Sequence, residues 1–204
     1  MIKGAYQAPF AYMEMINDVY KGAINMVIKD LMRQKDFRTK MLFWFGLWGS
    51  VPMLASSIES AIKEERRPSV FMRLIGLKLM FLGVLLNAIG GKTLKKYGHF
   101  DVSEGISAPD RVVDKGIYSC MRHPAQFGSG LMGLGIGMLT GKLAGLISGM
   151  LAFMMSLIFM LNVEEPETMK RFPDYCEKMA GKPAFTLRPS CLLKGIIALF
   201  GKNH

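Results

Sequence analysis

LAGLISGMLAFMMSLIFMLNV, residues 143–163, is 21 residues without a charge, and Glu164-Glu165 follow it at once. About 20 apolar residues in a helix cross a hydrocarbon core of ~30 Å, so the stretch reads as a membrane span. A shorter, glycine-rich apolar block runs from Phe127 to Gly141, and little more than Lys142 separates the two. So short a connection makes the pair a tight helical hairpin across the bilayer. Gly133, Gly137 and Gly141 fall at four-residue spacing, and Gly145 and Gly149 repeat it. Small residues at that spacing let helices approach closely in lipid, so helix packing is their preferred reading.

Two more apolar blocks lie upstream. Met41–Ile58 has no charge and holds Trp44, Trp48 and Pro52, the last tolerable as a kink. Val70–Gly91 contains Arg73 near its start and Lys78 further in. Lys78 is expected to snorkel to the surface with Arg73 rather than to serve an internal cavity. Between these blocks lies a charged turn, Lys63 to Arg67. The fold class expected is all-α, a membrane bundle of about four principal spans. Residues 1–40 form an N-terminal surface segment, with an amphipathic helix from about Pro9 to Leu31. Residues 41–204 form the membrane domain, with polar motifs in 92–128 and 164–189 and a short apolar tail at Cys191–Phe200.

The composition agrees with this reading. Half of the 204 residues are apolar, yet the formal charge is +10. A nucleic-acid binder has no need of uninterrupted apolar blocks, so the basic excess points to an anionic membrane surface and not to nucleic acid. The 18 Met are mostly packing material. Cys120, Cys176 and Cys191 show no C-x-x-C spacing, which argues against a disulfide framework and against a structural zinc site. No metal is expected, and the mixed, charged N-terminus does not read as a signal peptide.

Charge sets an orientation. Residues 1–40 carry seven Lys or Arg, the 92–126 loop six, and 164–204 seven. With four spans these three segments share one side, which the positive-inside rule makes cytoplasmic, both termini included. The 92–126 loop and Glu164-Glu165 then meet at the same membrane face. A loop of about 30 residues is itself a functional signal.

Two constellations stand at that face. One is Gly116-Ile117-Tyr118-Ser119-Cys120-Met121-Arg122-His123-Pro124, followed by Gly128. The other is Glu164-Glu165, with Phe172, Tyr175 and Arg188-Pro189 beyond. Taken together, over about residues 70–190, these resemble the isoprenylcysteine carboxyl methyltransferase family and its phospholipid methyltransferase relatives. That pattern runs G-P-Y-x-x-x-R-H-P-x-Y-x-G, a membrane hairpin, E-E, Phe-Gly about eight residues on, then an Arg-bearing tail. Gly116, Tyr118, Arg122, His123, Pro124, Gly128, Glu164, Glu165 and Phe172 are in register. Ile117, Gln126 and Pro173 depart from it, and the stretch to Arg188 is longer than usual. The departures bear on the acceptor more than on the cofactor.

The resemblance implies a small membrane methyltransferase using S-adenosylmethionine, with a lipid-like or membrane-embedded acceptor such as a prenylcysteine carboxylate or a phospholipid amine. It assigns Tyr118, Arg122, His123, Pro124, Gly128, Glu164, Glu165 and Tyr175 to the cofactor. Arg122, His123 and the helix start at Pro124 suit its carboxylate, and the Glu pair suits its ammonium or ribose. Glu165 and Arg188 are the expected catalytic residues, Arg188 orienting an anionic acceptor. The bland readings are a lipid-phosphate contact for Arg122, a surface position for His123, and a Glu pair that simply ends a span. His99 reads as an interfacial anchor, and Asp101, Glu104 and Asp110 as a solvated loop face. Two rival functions stand beside the first. One is a nicotinamide-dependent membrane reductase of sterol-reductase type, and the other is a non-catalytic membrane scaffold.

Overall fold

A computed structural model describes residues 35–65, 67–100 and 109–200. The expected amphipathic helix at 9–31, with Asp101 and Glu104, lies outside them. The chain divides into two units, Met1–Phe43 and Trp44–His204, and the second carries everything that follows. The described residues are helical throughout, without strands. In order they form α1 (Lys35–Ile62), α2 (Val70–Tyr97), a 3-10 turn (Gly116–Ser119), α3 (Pro124–Met138), and α4 (Leu143–Phe159). α4 runs through a π turn (Met160–Glu164) into α5 (Glu165–Arg171), and α6 (Tyr175–Lys178) and α7 (Pro189–Phe200) follow.

Three helices are long and apolar enough to cross a membrane: Thr39–Ile62, Val70–Tyr97 and the continuous Leu143–Arg171. α3, the remaining block of the expected four, is only 15 residues long. At 1.5 Å per residue that is roughly 22 Å, short of a full hydrocarbon core. Apolar side chains cover the outward faces. Phe71, Leu74, Leu77, Phe81 and Val84 of α2 are exposed, as are Met150, Leu151, Met154, Met155 and Ile158 of α4. Such surfaces suit lipid and not water. Lys78 lies on the exposed side of α2, as the snorkelling reading requires.

Glycine sets the helix spacing. A Cβ on Gly83 would meet the Gly128 carbonyl oxygen at 2.5 Å, and one on Gly128 would meet that of Gly83 at 2.6 Å. Gly76 and Gly135 repeat this closeness two turns away, at 2.8 and 2.7 Å. α2 and α3 therefore touch backbone to backbone. Gly137 meets Gly145 and Gly149 across the α3–α4 crossing in the same way. The packing reading of the hairpin glycines holds there, while Gly141, at φ +74°, makes the turn itself. A polar chain ties three helices together. The Trp48 indole N–H donates to the Ser129 carbonyl at 3.0 Å, and the Ser129 hydroxyl donates to Asn87 Oδ1 at 3.3 Å.

The end of the bundle remote from the polar motifs is latched. The backbone N–H groups of Leu143 and Ala144 donate to the Glu64 carboxylate at 2.8 and 3.0 Å, so another segment's acid caps α4. The Ser69 N–H donates to the Gly141 carbonyl at 2.7 Å, and Lys142 ion-pairs with Glu59. Ser69 also caps α2, its hydroxyl accepting from the Met72 N–H at 3.3 Å.

Two expectations change. The chain does not leave the helix at Val163, because the helix continues through the Glu pair to Arg171. Pro166 lacks an N–H, and the π turn just before it, closed by the Glu165 N–H on the Met160 carbonyl, lets the helix accept it. The Cys191–Phe200 tail is a docked helix. Gly195 sits where a Cβ would lie 2.7 Å from Ile89 and 3.1 Å from Ile117, so α7 rests closely on α2 and the 3-10 turn. That helix closes over a core of Leu86, Ile89, Val113, Ile117, Tyr118, Met121, Phe127, Leu131 and Cys191.

Candidate active site

The residues between the 3-10 turn and α3 lie where α4 passes into α5. Arg122 Nη2 is 3.2 Å from Glu165 Oε1, and His123 Nε2 is 3.5 Å from Glu165 Oε2. The Tyr175 hydroxyl lies 3.4 Å from the same Nε2. Four residues separated by up to 53 positions thus form one cluster, and His123, Glu165 and Tyr175 in it are buried. Several separations stand at the long end of hydrogen-bond range, so the groups are assembled but not saturated. Arg122 Nε is buried without a hydrogen-bond partner among the described residues.

Local structure explains the placement. Gly116 adopts φ +58°, a conformation L side chains rarely take, and this turns the chain into the 3-10 helix. Ile117 and Met121 are fully buried there and anchor the turn, leaving Arg122 and His123 to project at the entry of α3. Pro124 begins α3, where its missing N–H costs nothing, and no side chain caps that helix start. On the other side the π turn carries Glu164 and Glu165, and both are buried although they are neighbours in sequence.

A strap completes the wall. The Arg122 N–H donates to the Pro183 carbonyl at 3.1 Å, and the His123 N–H donates to that of Ala184 at 3.0 Å. Phe185 then stacks on Phe127 of α3, with ring centroids 4.6 Å apart. Sequence reading missed this strap, because two backbone bonds leave no side-chain signature. Phe185 beside a long polar stretch was the one available hint.

The cluster's protons are displaced from their ordinary affinities. Burial lowers the pKa of His123 from 6.5; Glu165 pulls it back up, and Arg122 pushes it further down. Tyr175 is pushed up to about 12, by burial first and then by the charge of Glu165. Tyr118 is raised as well, by burial and then by the charge of Glu164. Both phenols are therefore protonated donors at neutral pH.

Of the sequence-expected residues, Arg122, His123, Glu165 and Tyr175 meet directly, and Pro124 adjoins them in the chain. Tyr118 lies within electrostatic reach of Glu164. Gly128 does not join them, because its place is the close crossing with Gly83. Arg188 is exposed and lines a separate cavity with Lys182 and Lys194. Asp110 is no free loop face. Its Oδ2 lies 3.2 Å from Nδ1 of the buried His99 and accepts from the Phe100 N–H at 3.4 Å. Phe172 packs with Val112, Tyr175 and Met179 behind the cluster.

Among the described residues no group of His, Cys, Asp and Glu is arranged to hold a metal ion. No curated protein and no solved structure matches the chain. The profile of the phospholipid methyltransferase family matches residues 71–175, just over half of the 204, and takes in both constellations. The chain is a member of the phospholipid methyltransferase family.

Proposed function

We propose that the protein is an S-adenosylmethionine-dependent methyltransferase acting on a lipid-like acceptor at the cytoplasmic membrane face. The observation that carries this is the junction of Arg122-His123 with Glu165, made across a helical hairpin in a chain of this family.

The residues present fit the cofactor. An amino-acid carboxylate needs cationic or N–H donors, and Arg122 holds a buried Nε–H without a partner beside the uncapped start of α3. An ammonium or ribose needs acceptors, and Glu164 and Glu165 supply buried carboxylates. Two such acids in adjacent positions repel, and a cationic ligand relieves that. When bound, S-adenosylmethionine supplies a methyl group already activated on a sulfonium. What remains for the chain is orientation and electrostatics.

In this reading Glu165 has two tasks. Without ligand it neutralises Arg122 and His123, which keeps the cluster assembled. With ligand it is the acceptor that fixes the cofactor's cationic end, and Arg122 turns to the carboxylate. Tyr175 orients His123. With Nε2 unprotonated the phenol donates to it, and with Nε2 protonated the ring donates to Glu165. Tyr118 and Glu164 line the same side. The outward apolar faces of α2 and α4 give a membrane acceptor a lateral approach.

The test is saturable binding of S-adenosylmethionine to the purified full chain in detergent or nanodiscs, followed by cofactor-dependent methyl transfer into a total membrane extract with mass identification of the product. Binding that Glu165→Gln weakens at least tenfold is expected. Absence of saturable binding to the wild-type chain removes the proposal.

A further inference from the structure

Outside the Arg122–Glu165 cluster, the structure holds a second concave site of about 290 Å³ beneath the first turn of α7. Lys182, Arg188 and Lys194 line it, with Ser119, Thr186 and Ser190, and no acidic side chain does. None of the three cations makes an ion pair among the described residues, and the contact printed for Lys182 is a weak hydrogen bond to Met179 Sδ at 3.6 Å. Three cations converging on one concavity repel one another unless an anion sits between them. The hydroxyls and the forked guanidinium are the groups that bind tetrahedral oxyanions.

The surroundings are apolar and exposed. Leu193 and Ile197 are one turn apart on α7, 57% and 58% exposed, and Leu187 beside the cavity is 52% exposed. A short helix with such a face lies in the headgroup region of a bilayer. The volume is at the lower edge of ligand-pocket sizes, so it suits a headgroup and not a whole lipid.

We propose that this cavity is an anion site that takes a phosphate group, of a phosphomonoester or phosphodiester headgroup or of free phosphate. The site stands independently of methyl transfer. It does share one strap with the candidate active site, because Pro183 bonds Arg122 while Lys182 and Thr186 line the cavity. Occupation of the cavity therefore orders the segment that clips Arg122 and His123.

The cysteines provide the assay. Cys120 lines the cavity, whereas Cys176 is exposed on α6 and serves as an internal control. Alkylation rates at each are followed by peptide mass spectrometry on the full chain in neutral phosphatidylcholine nanodiscs. Three arms receive inorganic phosphate, nanodiscs containing phosphatidic acid, or S-adenosylmethionine. Native mass spectrometry of retained phospholipid runs in parallel, so the result does not depend on Cys120 reactivity alone. At ten times the dissociation constant, bound phosphate is expected to slow Cys120 about tenfold and leave Cys176 unchanged. Arg188→Gln with Lys194→Gln, both exposed positions, should abolish the protection and the retained lipid. Protection by the lipid arm alone assigns a headgroup, and protection by inorganic phosphate assigns a free ion. Protection by neither, protection that survives the double substitution, or protection by S-adenosylmethionine alone overturns the proposal.

Discussion

His123 sits between groups that pull its proton in opposite directions, and burial decides the contest toward the neutral ring. A histidine with a lowered folded pKa favours the native state only while it is neutral. Its contribution is complete above the unfolded value near 6.5 and is lost as pH falls toward the folded value. Melting temperature in detergent should therefore drop on acidification below about pH 6.5 more steeply for the wild type than for His123→Gln. Parallel pH profiles would contradict the burial account. Glu165→Gln leaves Arg122 without its counter-charge in a half-buried setting. A loss of roughly 3 kcal/mol in stability is expected from breaking such a pair, together with the loss of cofactor affinity. Arg122 and His123 were legible in the sequence because Arg-His-Pro beside a helix start is a patterned signal. Their pairing with Glu165 was not, since spacing along the chain says which membrane face residues share and not which atoms touch. Arg188 shows the same limit from the other side. It lies in the expected tail, yet it faces the cationic cavity.

At the scale of elements, α2 and α3 are held by glycine pairs, with Gly83 on Gly128 and Gly76 on Gly135. Gly128→Val inserts methyls where a Cβ alone would already meet a carbonyl oxygen at 2.6 Å. The expected cost is about 1–3 kcal/mol, read as a lower unfolding midpoint. Gly91→Ala is the control, since nothing lies within 4 Å of its added Cβ. That substitution should be neutral or stabilise by up to ~1 kcal/mol through helix propensity. Glu64→Ala removes the acid that caps α4 and should cost about 1 kcal/mol. The hairpin itself was readable, because two apolar blocks separated by so few residues leave the chain no alternative. The α2 glycines were not, since an isolated Gly in an apolar run looks the same whether it faces lipid or another backbone. The α4–α5 continuation was hidden for a related reason. Charge and Pro ordinarily end a helix, and only the π turn reconciles them with its continuing.

For the whole molecule, the lipid-facing surfaces and the three long helices make detergent or lipid a condition of native structure. Positive-inside reasoning gives a test that the apolar faces do not. If the Arg122–Glu165 end faces the cytoplasm, Cys176, exposed on α6, should react with a membrane-impermeant maleimide in inside-out vesicles and resist it in intact cells. The reverse pattern would invert the orientation and place the cofactor cluster on the wrong side for a cytosolic methyl donor. The π turn at Met160–Glu164 has its own consequence at this scale. It makes the last spanning helix one residue longer than a regular helix of the same reach. Excising Leu161 would leave hydropathy, length and insertion almost unchanged, and would return the backbone to ordinary helical winding. It would also swing everything beyond by about 100°, so that Glu165 turned away from Arg122. A shortened chain that still enters the membrane and melts cooperatively, yet no longer retains the cofactor, would mark that single surplus residue as the point where a generic anchor becomes a working site.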